Sequence, residues 1–133
     1  MSGYSEKSLK EKLGLKSGYS VVFLYAPLSY IVSLGEIDDL EIFPTLKRGH
    51  DVVQLFVKQK ERLIEELPEI MKSIKPSGCI WVSWPKKSSK VITDITENTI
   101  REICLPLGLV DVKVAAIDET WSGLKLVVGL KNR

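Results

Sequence analysis

The sequence predicts an α/β fold in which a mostly parallel sheet lies between two layers of helices and ends in an antiparallel hairpin. Three short runs are almost continuously apolar and rich in β-branched or aromatic residues, as strands buried on both faces of a parallel sheet require. These runs are residues 19–25, 51–57 and 79–84. Helical patterns alternate with them, and this alternation is typical of a three-layer α/β architecture.

In the first half of the chain, apolar spacing predicts the helices, and glycine and proline predict where they end or are interrupted. A helix is predicted over residues 5–13, because leucines recur there at helical spacing and Gly14 ends the run. Residues 59–74 form an amphipathic helix with its apolar side chains on one face. Pro68 lies inside this pattern and predicts a kink or a break into two short helices. Residues 75–78 then close the helical region.

The last third of the chain predicts one more helix and a hairpin. The helix runs from Asp94 onward, with Thr93 or Asp94 as its N-cap and Glu97 in the capping-box position relative to Asp94. Residues 109–117 and 124–130 have the character of strands. The polar connection between them is short, which favours antiparallel pairing.

Length and composition predict a single domain over residues 1–133. Lys and Arg number 19 against 17 Asp and Glu, so the net charge is +2, and 44% of the residues are hydrophobic. This composition excludes a disordered or fibrous chain. The near-neutral charge predicts neither nucleic-acid nor membrane-surface binding. The polar beginning has no signal-peptide pattern, and Cys79 and Cys104 lie among apolar neighbours, so we expect a cytoplasmic protein with two buried free thiols.

Two segments and the final hairpin resemble a class I methyltransferase with a shortened cofactor half. Residues 13–22 (LGLKSGYSVV) resemble the segment that leads into the first strand of that fold, and residues 69–86 resemble the helix, turn and strand around its fifth. The resemblance implies a Rossmann-like sheet whose last strand inserts antiparallel, and S-adenosylmethionine as a cofactor. The chain is then a single truncated methyltransferase-like domain.

Three further stretches are similar to a bacterial family, the domain of unknown function 3052. They are residues 81–87 (WVSWPKK), 94–98 (DITEN) and 118–125 (DETWSGLK). This resemblance covers most of the second half of the chain and implies no particular activity.

The region after the first strand departs from the methyltransferase pattern. The resemblance implies a glycine-rich turn there and an acidic residue at the end of the second strand, which let the backbone approach the cofactor and bind its ribose. Residues 24–30 (LYAPLSY) contain no glycine. The stretch from Ala26 to Gly49 is shorter than the ~30 residues of one βαβ crossover. We therefore expect only a short helix near residues 29–34, a short strand near residues 40–43 and an incomplete cofactor site.

A candidate binding rim follows from the rule that ligands of open α/β sheets bind at the carboxyl ends of the strands. The strand ends and the loops that follow them bring together aromatic, cationic and acidic side chains. The nine candidates are Ala26, Pro27, Lys58, Trp84, Lys86, Lys87, Asp118, Glu119 and Trp121. The last three reach this edge if the penultimate strand runs parallel to the others. Lysines and helix N-termini favour an anion, and an indole stacks on a planar ligand.

Structural interpretations of the same residues remain open. Residues 86–90 also suit a solvated loop, Trp121 could close the end of the sheet, and Asp118 with Glu119 could balance the lysines. Trp81 is predicted to be a core residue beneath a helix. His50 precedes the second strand, which places it at the opposite edge from the rim.

No catalytic residue and no metal ligand set is predicted. The sequence contains one histidine, two cysteines without CxxC spacing and no phosphate-binding loop. We therefore expect a non-catalytic binding module whose rim takes a small anionic ligand or a protein partner. The alternative is an S-adenosylmethionine-dependent methyltransferase whose cofactor site is atypical or is completed by a homodimer.

Overall fold

A computed structural model describes residues 7–130 of the chain. The sheet is formed by β1 (Ser20–Leu24), β2 (Glu41–Phe43), β3 (His50–Phe56), β4 (Ile74–Pro85), β5 (Leu109–Ala116) and β6 (Trp121–Val128). The helices are α1 (Leu9–Lys12), α2 (Leu28–Ser33), α3 (Lys60–Ser73) and α4 (Glu97–Cys104). The predicted part of the first helix at residues 5 and 6 lies outside the described residues.

The six strands form one sheet in the order β2-β1-β3-β4-β6-β5. β2, β1, β3 and β4 are parallel, and β6 pairs antiparallel with both β4 and β5. β5 therefore runs in the same direction as the parallel strands. The predicted α/β class, with its mostly parallel sheet and final antiparallel pair, is confirmed.

Helices cover both faces of this sheet. On one face α3 and α4 bury Leu63, Leu67 and Ile100 against β-strand residues. On the other face lie α1 and α2, with Leu13 and Trp81 in the same buried cluster. The Trp81 indole N–H donates to the Leu13 carbonyl oxygen at 3.0 Å, so the prediction that Trp81 is a core residue is confirmed.

The segment between β1 and β3 is short, as expected. It holds only the six-residue α2 and the three-residue β2, which forms one edge of the sheet. Both lie where the sequence predicts a short helix and a short strand.

The alternative of a break at Pro68 and the predicted start of β4 were wrong. α3 is a single helix from Lys60 to Ser73 with Pro68 inside it, because buried residues on both sides of the proline hold the two halves against the sheet. β4 begins at Ile74 and not at Cys79. Residues 75–78 belong to this strand as an irregular segment, since the pairing with β3 shifts between Ile74 and Cys79.

The predicted caps of α4 were also wrong. α4 begins at Glu97, and the Thr96 hydroxyl accepts a hydrogen bond from the Thr99 N–H at 3.2 Å. Asp94 instead serves α3, because its carboxylate accepts from the Lys60 N–H at 2.7 Å. In the hairpin, β6 begins at Trp121 and not at Leu124.

Both cysteines are free and buried, as predicted. Burial raises the pKa of the Cys79 thiol to about 11, and burial likewise raises the pKa of Cys104 to about 11. The reactive thiolate form is therefore scarce at neutral pH. Within residues 7–130 no helix has the length and apolar character needed to cross a membrane.

Candidate functional site

The carboxyl ends of β1, β3, β4 and β5 meet at one edge of the sheet. From β1 the chain passes to β2 on one side and then returns to β3 on the other side. The strand order therefore reverses between β1 and β3. In open α/β sheets this is the position at which ligands bind.

The structure divides the predicted rim between two clefts at this edge. The β1–β3 cleft, with a volume of about 400 Å³, is lined by Tyr25, Pro27, Phe56, Val57, Lys58, Gln59, Arg62 and Trp121. The β4–α4 cleft, of about 600 Å³, is lined by Trp84, Pro85, Lys87, Lys90, Val91, Ile92, Thr93, Ile95, Thr96 and Glu97. Pro27, Lys58 and Trp121 therefore share the first cleft, and Trp84 and Lys87 share the second.

The other four candidates line neither cleft. The Asp118 carboxylate accepts hydrogen bonds from the N–H groups of Thr120 and Trp121, each at 2.8 Å, and so shapes the β5–β6 turn. The Lys86 N–H donates to the Thr120 carbonyl oxygen at 2.8 Å. Glu119 is exposed on the turn, and Ala26 packs against the core on the α1–α2 face.

Tyr25 crosses the β1–β3 cleft from the turn after β1 to α3. Its hydroxyl donates to the Glu66 carboxylate at 2.7 Å, and the Arg62 guanidinium carbon lies 4.9 Å from its ring centre. The hydrogen bond to Glu66 raises the pKa of the Tyr25 phenol, which therefore stays neutral and acts as the donor. Its backbone has φ 59°, a left-handed conformation that is strained for a bulky residue.

This strain predicts an unusual order of stability between two variants. Tyr25→Ala and Tyr25→Gly remove the same contacts with Arg62 and Glu66, but only glycine accepts the left-handed backbone without cost. We expect Tyr25→Gly to be about 1 kcal/mol more stable than Tyr25→Ala in urea unfolding. At an ordinary position the order would be reversed, so an alanine variant that is the more stable of the two would contradict the strain.

Aromatic rings form the floor of the β1–β3 cleft. Phe56 and Trp121 meet edge to face, with their ring centres 5.0 Å apart. Beneath them Tyr30 packs edge to face on Phe56 at 4.8 Å. The Trp121 N–H donates to the Asp118 carboxylate, which fixes the backbone of Trp121, and the contact with Phe56 holds its indole on this floor.

Two cations line the same cleft as the aromatic floor. Lys58 is exposed and forms no ion pair with any residue between 7 and 130. Its backbone is fixed, since its carbonyl oxygen accepts from the Thr93 hydroxyl at 2.6 Å. Arg62, in the first turn of α3, lies 3.8 Å from Glu66 in a half-exposed pair. An aromatic floor with a cationic rim suits a planar ligand that carries negative charge.

S-adenosylmethionine does not fit this cleft in the way that the methyltransferase resemblance implies. Tyr25 and Pro27 occupy the turn where that fold needs glycines for close backbone approach. β2 ends at Phe43 and is followed by Pro44, so its end supplies no carboxylate for a ribose. Metal ligands are absent as well within residues 7–130, which contain no group of three or more His, Cys, Asp or Glu side chains close enough to hold an ion.

His50 lies at the opposite, amino-terminal edge, as predicted. It is fully buried, and its Nε2 accepts from the Lys47 N–H at 2.9 Å. The neutral ring therefore carries its proton on Nδ1, which donates to the Ser20 hydroxyl oxygen at 2.9 Å. In this tautomer the imidazole cannot take a proton from Ser20, so the pair is structural.

His50 makes the stability of the fold depend on pH. Burial lowers the pKa of His50, and the neighbouring Asp51 carboxylate, which pairs with Lys75, offsets part of that effect. A pKa that is lower in the folded state means that stability is complete above the unfolded value of about 6.5 and falls as the pH drops below it. We expect the free energy of unfolding to decrease between about pH 7 and 5.5.

The matched variant is His50→Gln, which can accept from Lys47 and donate to Ser20 without titrating. Its unfolding free energy, measured in urea over the same pH range, should change much less than that of the wild type. Equal slopes for the two proteins would show that His50 is not the group responsible.

The signature of a family described as "Protein of unknown function (DUF3052)" matches residues 44–129, more than half of the chain. The chain belongs to the DUF3052 family. The matched region contains β3 to β6, and with them both clefts except for the Tyr25–Pro27 turn. No curated protein matches the sequence significantly.

Solved structures similar to this DUF3052 chain include methyltransferases. A SAM-dependent methyltransferase from Aquifex aeolicus is 15% identical, with a TM-score of 0.64 over 90% of this chain and 87% of that chain. A ribosomal protein L11 methylase from Lactobacillus delbrueckii subsp. bulgaricus is 12% identical, with a TM-score of 0.59 over 91% of this chain and 75% of that chain. At this identity the similarity shows the fold alone, and it agrees with the predicted Rossmann-like, methyltransferase-type sheet.

Sequence reasoning missed Tyr25 and Arg62 as parts of one site. The signals were present, since Tyr25 follows a predicted strand and Arg62 lies in the first turn of the helix after the next parallel strand. Helix N-termini that follow parallel strands point to the same sheet edge. This rule could have added Arg62 to the predicted binding rim.

Proposed function

We propose that the chain is a single truncated methyltransferase-like domain that acts in the cytoplasm as a non-catalytic binding module. Its ligand is a small planar anion held in the β1–β3 cleft. The observation that carries this proposal is the combination of Lys58, Arg62 and an aromatic floor at the point of strand reversal.

The size of the cleft supports a small ligand. Its volume of about 400 Å³ lies within the usual range for small-molecule sites. The Lys58 ammonium, which forms no ion pair with the described residues, gives an anion a charged hydrogen bond. A flat, conjugated group would contact Phe56 and Trp121, and Tyr25 would lie at its edge.

Native mass spectrometry of the protein purified without added ligand tests this proposal. We expect bound extra mass from an aromatic carboxylate, phosphate or sulfonate, and we expect the Lys58→Glu, Arg62→Glu double variant to lose it. Retention of the same mass by the double variant would show that the ligand does not bind in this cleft.

The second candidate is a methyltransferase with an atypical or dimer-completed cofactor site. The similarity to methyltransferase structures favours it, although that similarity concerns only the fold. A homodimer could supply missing cofactor contacts, since β2 is a three-residue edge strand with no neighbour on its outer side among the described residues. Bound mass equal to S-adenosylmethionine or its demethylated product would favour this candidate over the first.

A further inference from the structure

The β4–α4 cleft has a different character from the β1–β3 cleft. Its floor consists of Trp84 and Pro85, which are buried at the end of β4, and Ile95 lies beside them. Ile92, on the loop above, is 91% exposed. A large aliphatic side chain held so far into water loses the stabilisation that burial would give.

Hydrogen bonds hold this loop on both sides of Ile92. The Ser89 hydroxyl donates to the Lys86 carbonyl oxygen at 2.7 Å and accepts from the Val91 N–H at 3.2 Å. On the other side the Thr93 hydroxyl donates to the Lys58 carbonyl oxygen. Ile92 is therefore presented by a fixed backbone, and an ordered apolar residue costs a partner little entropy on binding.

The charges around Ile92 are positive and lack acidic partners. Lys86, Lys87 and Lys90 form no ion pair with any residue in the described part of the chain. The nearby acids are already engaged, since Glu97 pairs with Arg101 and Asp94 caps α3. Lys90 also adopts a left-handed backbone, with φ 63°, which a lysine rarely does.

We propose that the β4–α4 cleft is a docking surface for a protein partner that presents an acidic segment with a large apolar side chain. The apolar side chain would pack against Ile92 and the Trp84 floor, and flanking carboxylates would meet Lys87 and Lys90. Complementary charge with a buried apolar centre is the usual arrangement of a specific interface. This surface is separate from the β1–β3 cleft, and the proposal does not depend on the small ligand.

Selection of displayed random peptides against the whole protein tests this inference. We expect the enriched peptides to combine Asp or Glu with a large apolar residue. They should bind the Lys87→Glu, Ile92→Asp, Lys90→Glu triple variant at least roughly tenfold more weakly than the wild type. All three side chains are exposed, and an unchanged melting temperature will show that the triple variant folds.

Two control variants make the result specific. Lys72→Glu with Ile64→Asp changes exposed residues of the same types on α3 and should leave peptide binding intact. Lys58→Glu with Arg62→Glu should also leave it intact, so loss of the small-ligand site and loss of this surface can be told apart. Enriched peptides that lack acidic residues, peptides that bind the triple variant equally well, or a selection that enriches nothing would each overturn the proposal.

Discussion

Reversing the charges of Lys58 and Arg62 is expected to weaken binding of a planar aromatic anion roughly 100-fold or more. The Lys58→Glu, Arg62→Glu variant replaces both cations that line the cleft with carboxylates. Each charged hydrogen bond contributes about 1.5–3 kcal/mol, and the new carboxylates would repel the ligand. Calorimetry with indole-3-carboxylate as the probe measures this change directly.

A control with the same change in net charge separates local from general electrostatics. Lys47 and Arg48 are exposed neighbours that form no ion pair within residues 7–130 and line neither cleft. The Lys47→Glu, Arg48→Glu variant should therefore keep most of the affinity. An equal loss in both double variants would mean that the ligand responds to the charge of the whole protein and not to this cleft.

Substituting Gly78 with alanine is expected to destabilise the fold strongly, although it adds only one methyl group. A Cβ atom at position 78 would lie 2.9 Å from the His50 carbonyl oxygen, 3.0 Å from that of Asp51 and 3.2 Å from that of Lys75. All three are backbone atoms, which cannot rotate away. The added methyl should therefore cost about 3 kcal/mol.

The cost of Gly78→Ala arises from the register shift between β3 and β4. Because β4 carries extra residues between Ile74 and Cys79, Gly78 is pressed against the start of β3. Ser77→Ala, one residue earlier and exposed, is the control and should change the unfolding free energy by less than about 0.5 kcal/mol. Equal midpoints for the two variants in urea unfolding would show that the contact at Gly78 is not tight.

Much of the fold could be predicted from the sequence because burial on both faces leaves a strong pattern. The continuous apolar runs of β1, β3 and the second half of β4 were found within a few residues of their ends. Residues 75–78 were not assigned to a strand, since proline, serine and glycine there resemble a loop. Only pairing with β3 makes them part of β4, and pairing is a tertiary property.

The candidate site could be predicted only in part from the sequence. Strand ends indicated Pro27, Lys58 and Trp121, which the structure brings into one cleft. The sequence could not separate them from Trp84 and Lys87, because the sheet edge continues across both clefts. Tyr25 contacts Arg62 from a left-handed backbone, and no local pattern predicts a left-handed tyrosine.

Above all, we expect the β1–β3 cleft to select a planar ligand by its negative charge. An NMR titration of the isotope-labelled protein with indole-3-carboxylate and, separately, with the neutral indole-3-carboxamide tests this most directly. We expect the carboxylate to shift the Val57, Lys58 and Gln59 amides and the Trp121 indole N–H, and the carboxamide to leave them in place. Equal shifts from both compounds, or shifts confined to other parts of the sheet, would contradict the account.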